Sequence, residues 1–157
     1  MDNSLDLGLD ESHVANSSDD YYTPKWVFDT LELEFDTDPA QPIGGCSWIP
    51  VKQYYTILDD GLQQKWIGRV WLNPPYSKPN DWIERFIDHG NGICLVQFSR
   101  AKWFVKLWQM ADGITALPHN MKFQTPREGE KGIFMPVALF AMGEDNVNAL
   151  AKFGRVR

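Results

Sequence analysis

Four consecutive residues, Asn73-Pro74-Pro75-Tyr76, carry the sharpest chemical signal in the chain. The two prolines fix two φ angles and remove backbone donors, so the stretch is stiff and offers carbonyl oxygens. Asn73 adds a side-chain carbonyl, and Tyr76 a flat ring. That set suits an amine whose lone pair is delocalised into an aromatic ring, such as the exocyclic N6 of adenine. Two acceptors beside its two N–H groups favour a tetrahedral nitrogen with a localised lone pair. The side-chain oxygen of Asn73 and the main-chain oxygen of Pro74 could supply both, while Tyr76 stacks on the base. Methyl transfer from a sulfonium to such an amine needs alignment within contact distance, and neither a metal nor a nucleophilic side chain. The plainer reading is an ordinary turn, since Asn and Pro both favour turns. It leaves unexplained why the tetrapeptide directly follows an apolar strand.

That strand is Arg69-Val70-Trp71-Leu72, and the elements around it alternate in kind. Thr23-Pro24 reads as a helix entry, with Thr as N-cap and Pro at the first helical position. Trp26, Val27, Thr30 and Leu31 continue at helical spacing. Residues 34–38 read as a short strand ending in acids, and 41–50 as a loop with two prolines and Gly44-Gly45. Residues 54–58 read as a strand, followed by a turn at Asp59-Asp60-Gly61. Asn80 is expected to cap a helix with Trp82, Ile83, Phe86 and Ile87 on its apolar face and Gly90 near its end. Gly92 to Phe98 is a buried strand, Ala101 to Ala111 a helix, and Ile114 to Leu117 a strand. Met121–Phe123 and Ile133–Ala141 are expected to pair across a polar loop, and Asp145–Phe153 to form a last helix before Gly154. This alternation predicts an α/β fold, a mostly parallel sheet with a C-terminal antiparallel hairpin. In such sheets ligands bind beyond the carboxyl ends of the strands, where both Asp36/Asp38 and the Asn73 loop fall.

Composition narrows the class. The 157 residues fit one domain, and 43% hydrophobic content is enough for a core. Two cysteines, Cys46 and Cys94, without histidines at metal-ligand spacing, read as reduced thiols. No apolar run is long enough for a membrane span, and the polar start resembles no leader, so a cytoplasmic address is expected. The net charge of −6 looks unfavourable for nucleic acid, but residues 1–20 hold six acids and no Lys or Arg. The remainder is neutral and can hold a local basic face. Residues 1–20 are expected to be a disordered acidic tail, and 21–157 a single domain.

These motifs, in this order, resemble the phage-type DNA N6-adenine methyltransferases (Dam-like). The resemblance rests on residues 22–29, on Phe35-Asp36-Thr37-Asp38-Pro39-Ala40, and on Tyr55-Thr56 with Asp59-Asp60-Gly61-Leu62. It rests further on residues 66–77, which end in the Asn73 loop, and more loosely on Trp82 and on Leu117-Pro118 before Lys122-Phe123. It implies a Rossmann-like, S-adenosylmethionine-dependent methyltransferase fold, with S-adenosyl-L-methionine as donor, no metal, and adenine in DNA as acceptor. Tyr22, Thr23 and Pro24 would embrace the methionine end of the cofactor. Asp36, Asp38, Pro39 and Ala40 occupy the first cofactor motif, where a carboxylate can accept from the cofactor's ammonium. Asp59 or Asp60 would lie near the adenosine, and both stay open. One departure stands out: Pro39-Ala40-Gln41-Pro42 replaces the glycine-rich turn that usually follows this strand, with Gly44-Gly45 displaced. Another is His119-Asn120, where relatives commonly carry an Arg.

A base inside a duplex must be flipped out before its amine can react. Ser77 and Lys78 beside the catalytic loop, Arg100, Lys102 and Trp103 after the central strand, and Lys122 are the expected DNA-facing groups, with Arg127 and Lys131 as further candidates. Competing readings are a methyltransferase of a protein glutamine or of an RNA base amine, whose nitrogens are also delocalised, and a non-catalytic DNA-binding relative. The recognition sequence and oligomeric state are not legible.

Overall fold

The computed structural model describes residues 22–119, 121–125, 129–132 and 136–157, with the backbone alone for 122–125 and 129–132. The expected tail at 1–20 lies outside the described residues. Among the described residues there are eight strands: β1 (Phe35–Asp38), β2 (Val51–Tyr54), β3 (Val70–Leu72), β4 (Gly92–Gln97), β5 (Gly113–Ala116), β6 (Lys122–Thr125), β7 (Gly129–Gly132) and β8 (Val137–Met142). The α-helices are α1 (Lys25–Leu31), α2 (Asn80–His89), α3 (Lys102–Met110) and α4 (Glu144–Leu150), with 3₁₀ turns at Gly61–Gln63 and Ala151–Phe153.

Six strands form one mixed sheet in the order β2-β1-β3-β4-β8-β5. β2, β1, β3 and β4 pair in parallel, whereas β8 runs antiparallel to both its neighbours, β4 and β5. Both faces of the sheet are covered, which is why β4 and β8 read as unbroken apolar runs. The period of two sorts their side chains. Trp71, Ile93, Leu95 and Leu139 meet Val27, Phe28 and Leu31 of α1 and Ala149 and Leu150 of α4. Val70, Leu72, Cys94, Val96 and Phe140 meet Ile83 and Phe86 of α2 and Phe104 and Leu107 of α3. The spacing of Ile83, Phe86 and Ile87 buries one stripe of α2, and Gly90 ends it at φ 74°, a conformation glycine adopts without steric cost. β3 is only three residues long. Its central Trp71, 1% exposed, is edge-packed against Phe28 and Phe35 at 4.7 and 5.6 Å, and so anchors the strand.

Several boundaries differ from expectation. Pro24, not Thr23, stands at the cap of α1, and Pro79, not Asn80, at the cap of α2; neither helix start carries a side-chain cap bond. The strand expected at 54–58 lies instead at 51–54. Asp59 accepts the Thr56 N–H at 2.9 Å, and the Thr56 hydroxyl accepts the Leu58 N–H at 3.2 Å, which captures 56–59 as a turn. The late hairpin also differs from the expected pairing. β6 pairs with β7 as a separate two-stranded sheet, while β8 enters the main sheet. Its Val137–Met142 run is apolar at every position, and burial on both faces outweighs local hairpin pairing. Both cysteines, read from the sequence as reduced thiols, are free, and both are buried. Among the described residues no helix is long and apolar enough to cross a membrane.

Candidate active site

Neighbouring strands lie about 4.8 Å apart, so the parallel strands β1, β3 and β4 bring their carboxyl ends to one edge. Thr37 is level with Val70, and Leu72 with Cys94. β1 therefore stops first, at Asp38, while β3 delivers Asn73 one step beyond Leu72, beside the still-paired end of β4. Asn73 is half-buried and Pro74 buried. The Lys78 N–H donates to the Pro75 carbonyl at 3.3 Å and closes the loop into a turn. Tyr76 packs against the apolar layer between the sheet and α2/α3, which holds its ring in place. The result is a corner supported from the sheet and from α2/α3.

The two acids of β1 meet different environments. Asp36 accepts the Arg69 N–H at 2.8 Å and faces Lys52 at 3.3 Å. The Arg69 N–H, more than the partly exposed lysine, holds its carboxyl below the ordinary value. Asp36 is thus engaged within the chain, tying β1 to the segment entering β3. Asp38 is 2% exposed and has no cation beside it among the described residues. Burial raises its pKa to about 7, only partly offset by the Ala40 N–H at 3.1 Å and by the Gln41 side chain. A buried carboxylate poised there favours any cation brought to it.

Around Asp38 lie further buried polar groups. The Cys46 N–H donates to Gln41 Oε1 at 2.9 Å, which fixes the orientation of that amide. The Trp48 indole donates to the Thr23 carbonyl at 2.7 Å, and Tyr22 packs edge-on against Trp48 at 5.8 Å. These contacts lace residues 22–24 onto the 41–48 loop. Thr23 Oγ1 and Gln41 Nε2 are buried without a hydrogen-bond partner among the described residues. Cys46 is a spectator: burial pushes its thiol up to about 11.

Asp59 spends its carboxylate on the Thr56 turn, whereas Asp60 is exposed at φ 56° at the start of the 3₁₀ turn. Gly61 then passes so close to β1's exit that a Cβ would lie 1.9 Å from the Pro39 carbonyl oxygen. A clamp not anticipated from the sequence holds this approach. Trp66 donates to the Gly61 carbonyl at 2.9 Å and stacks on Trp82 at 6.2 Å. The Arg85 guanidinium lies 4.6 Å over the Trp66 ring and donates to the carbonyls of Leu62 and Gln64. Pro39 is buried, and Ala40 packs on the same layer as Trp82. No periodicity links residues 61, 66, 82 and 85, so only folding reveals them as one unit.

Of the expected DNA-facing groups, Ser77 and Lys78 are exposed on the loop that leaves β3, Arg100 on the loop that leaves β4, and Lys102 at the start of α3 just after it. Trp103 is half-buried, 5.8 Å from Phe104, and belongs partly to the core. The side chains of Lys122 and Lys131, and all of Arg127, lie outside the described residues.

Residues 11–127 match the family model described as DNA N-6-adenine-methyltransferase (Dam). A DNA N-6-adenine-methyltransferase of Haemophilus phage HP1 (strain HP1c1) is 33% identical over 85 residues, 50% of this chain and 47% of that protein. The matched stretch thus spans about half the length of that relative. No solved structure matches. The family match takes in the Thr23 segment, the end of β1, the Gly61 turn and the Asn73 loop, and covers most of the chain: the protein belongs to the DNA N-6-adenine-methyltransferase (Dam) family.

Proposed function

We propose that this chain transfers a methyl group from S-adenosyl-L-methionine to the N6 amino group of adenine in DNA, and that its sheet is of the Rossmann-like methyltransferase kind. The observation that carries the reading is the juxtaposition of the Asn73-Pro74-Pro75-Tyr76 corner with the buried Asp38 at one sheet edge. The sheet supports it too, with one reversed strand between two that run the other way.

The residues fit the cofactor. Asp38 supplies an acceptor for its ammonium, and the buried Thr23 Oγ1 and Gln41 Nε2 are groups in need of partners. Tyr22 and Pro24 would line this end together with Pro39 and Ala40, and Asp60, whose carboxylate is exposed, is better placed than Asp59 to meet the adenosine. When bound, the donor supplies an electrophilic methyl on a sulfonium. Asn73 Oδ1 and the Pro74 carbonyl would accept the two N6 protons and turn the lone pair toward the methyl. Asn73 Oδ1 and the Pro74 carbonyl would hold both N6 protons until one is shed to solvent, the donor supplying the methyl and leaving as a thioether. Tyr76 would hold the flipped base flat, and Lys78, Arg100 and Lys102, with Ser77, would contact the flanking backbone.

Purified protein with tritiated cofactor tests this against DNA, RNA and glutamine-containing peptide. Label on N6 of adenine in DNA is expected. Label on RNA or peptide alone, or none in any arm despite cofactor binding, would overturn it.

A further inference from the structure

The turn after β1 lacks the glycines expected of a cofactor loop, and Gln41 stands in that turn at 4% exposure. A buried primary amide has three groups to satisfy: one oxygen and two N–H. Its oxygen is satisfied by the Cys46 N–H at 2.9 Å, across the loop that carries Gly44 and Gly45. That bond settles which end of the amide is nitrogen, because an N–H cannot donate to another N–H donor. Nε2 leans toward the Asp38 carboxylate and eases its ionisation without closing a full hydrogen bond, so that at least one of its two N–H groups has no partner among the described residues. Leaving a buried donor unsatisfied is costly, and Thr23 Oγ1 also lacks a partner among the described residues. An acceptor carboxylate beside an amide with a spare N–H is the complement of an α-amino-acid zwitterion, not of a simple cation.

Building on the methyltransferase reading, we propose that Gln41 is a cofactor-binding residue whose Nε2 donates to the carboxylate of the cofactor's methionine end. The side chain thereby does the work of the missing glycine turn. Backbone N–H groups exposed by glycines are replaced by one amide, braced through its oxygen by the loop's own backbone. Asp38 takes the ammonium and Gln41 the carboxylate, so the site reads the whole amino-acid end.

Calorimetry with two probes tests this: S-adenosylhomocysteine, and its decarboxylated analogue S-adenosyl-3-thiopropylamine. The unmodified protein should bind the first about ten- to a hundredfold tighter, the worth of one buried charge-assisted hydrogen bond. In Gln41→Met the margin should collapse to about twofold through loss of S-adenosylhomocysteine affinity, with the decarboxylated probe unchanged. Gln41→Glu keeps an acceptor for Cys46 but sets a carboxyl against the ligand's carboxylate, so it should invert the margin. A margin surviving in Gln41→Met, equal loss of both probes, or no margin in the unmodified protein would overturn the assignment. If the unmodified protein binds neither probe, the methyl-donor reading itself falls with it.

Discussion

On the proposed function, the chemistry at Asn73 is concentrated in one side-chain oxygen. Asn73→Ala should lower the methyl-transfer rate about 10²–10³-fold, the usual worth of one pre-aligned polar group at a reacting centre. Affinity for S-adenosylhomocysteine should stay within about twofold, because Asn73 lies past the end of β3 and Asp38 on β1. Single-turnover transfer of labelled methyl, beside calorimetry, checks both. Asp38 predicts a pH effect of definite sign. Its folded pKa of about 7 lies above the ordinary value, so the folded state holds an extra proton between roughly pH 4 and 7. That contribution to stability is complete below pH 4 and is lost as pH rises through 7. Cofactor binding, which needs the carboxylate, should run the other way and weaken below pH 7 by up to about tenfold per unit. Asp38→Asn should therefore raise stability at pH 8 by about 1–3 kcal/mol while abolishing cofactor binding. Denaturant melts and titration at pH 6 and 8 give both readings.

The elements owe their precision to contacts that local sequence does not advertise. Asn73-Pro74-Pro75-Tyr76, Val70–Leu72 and the α2 stripe were legible because each is a local pattern: rigid residues, an apolar run, a 3.6 period. β2 was misread because Tyr54-Tyr55-Thr56-Ile57-Leu58 has high strand propensity, yet the Asp59 carboxylate wins Thr56 for a turn. The hairpin was misread because the partner of Val137–Met142 is decided by a gap in the sheet between β4 and β5, a non-local quantity. The differing fates of Asp36 and Asp38 were equally hidden, since burial and the Arg69 N–H exist only after folding. Gly61 belongs to this scale. Gly61→Ala drives a methyl into the Pro39 carbonyl and must displace β1's exit from the clamp of Trp66, Trp82 and Arg85. It should cost about 1–3 kcal/mol and weaken cofactor affinity at least tenfold. A thermal melt with calorimetry separates the two effects.

Across the whole molecule, charge and strand order matter more than any one contact. Net charge disfavours DNA, but Lys78, Arg100 and Lys102, exposed and without an ion pair among the described residues, lie on the segments that follow β3 and β4 beside the Asn73 corner. Lys78→Ala, Arg100→Ala and Lys102→Ala should each reduce the salt dependence of DNA affinity by about one unit in the log–log slope. They should leave S-adenosylhomocysteine affinity unchanged; fluorescence anisotropy across a salt series measures the slope.

Strand β8 bears on how the molecule is made. Among the described residues it follows the other strands in sequence, yet it completes the hydrogen bonding of β4 and is the only described strand that joins β5 to the rest. A nascent chain that has not yet released residues 137–142 holds two ribbons with bare edges, each ready to recruit a stranger. Closure of the sheet should therefore wait on residues 137–142, whose pairing with β4 and β5 is non-local and so slow to form. A chain stopped at residue 136 should be recovered in inclusion bodies, and supplying residues 137–157 as a separate peptide during refolding should return part of it to solution.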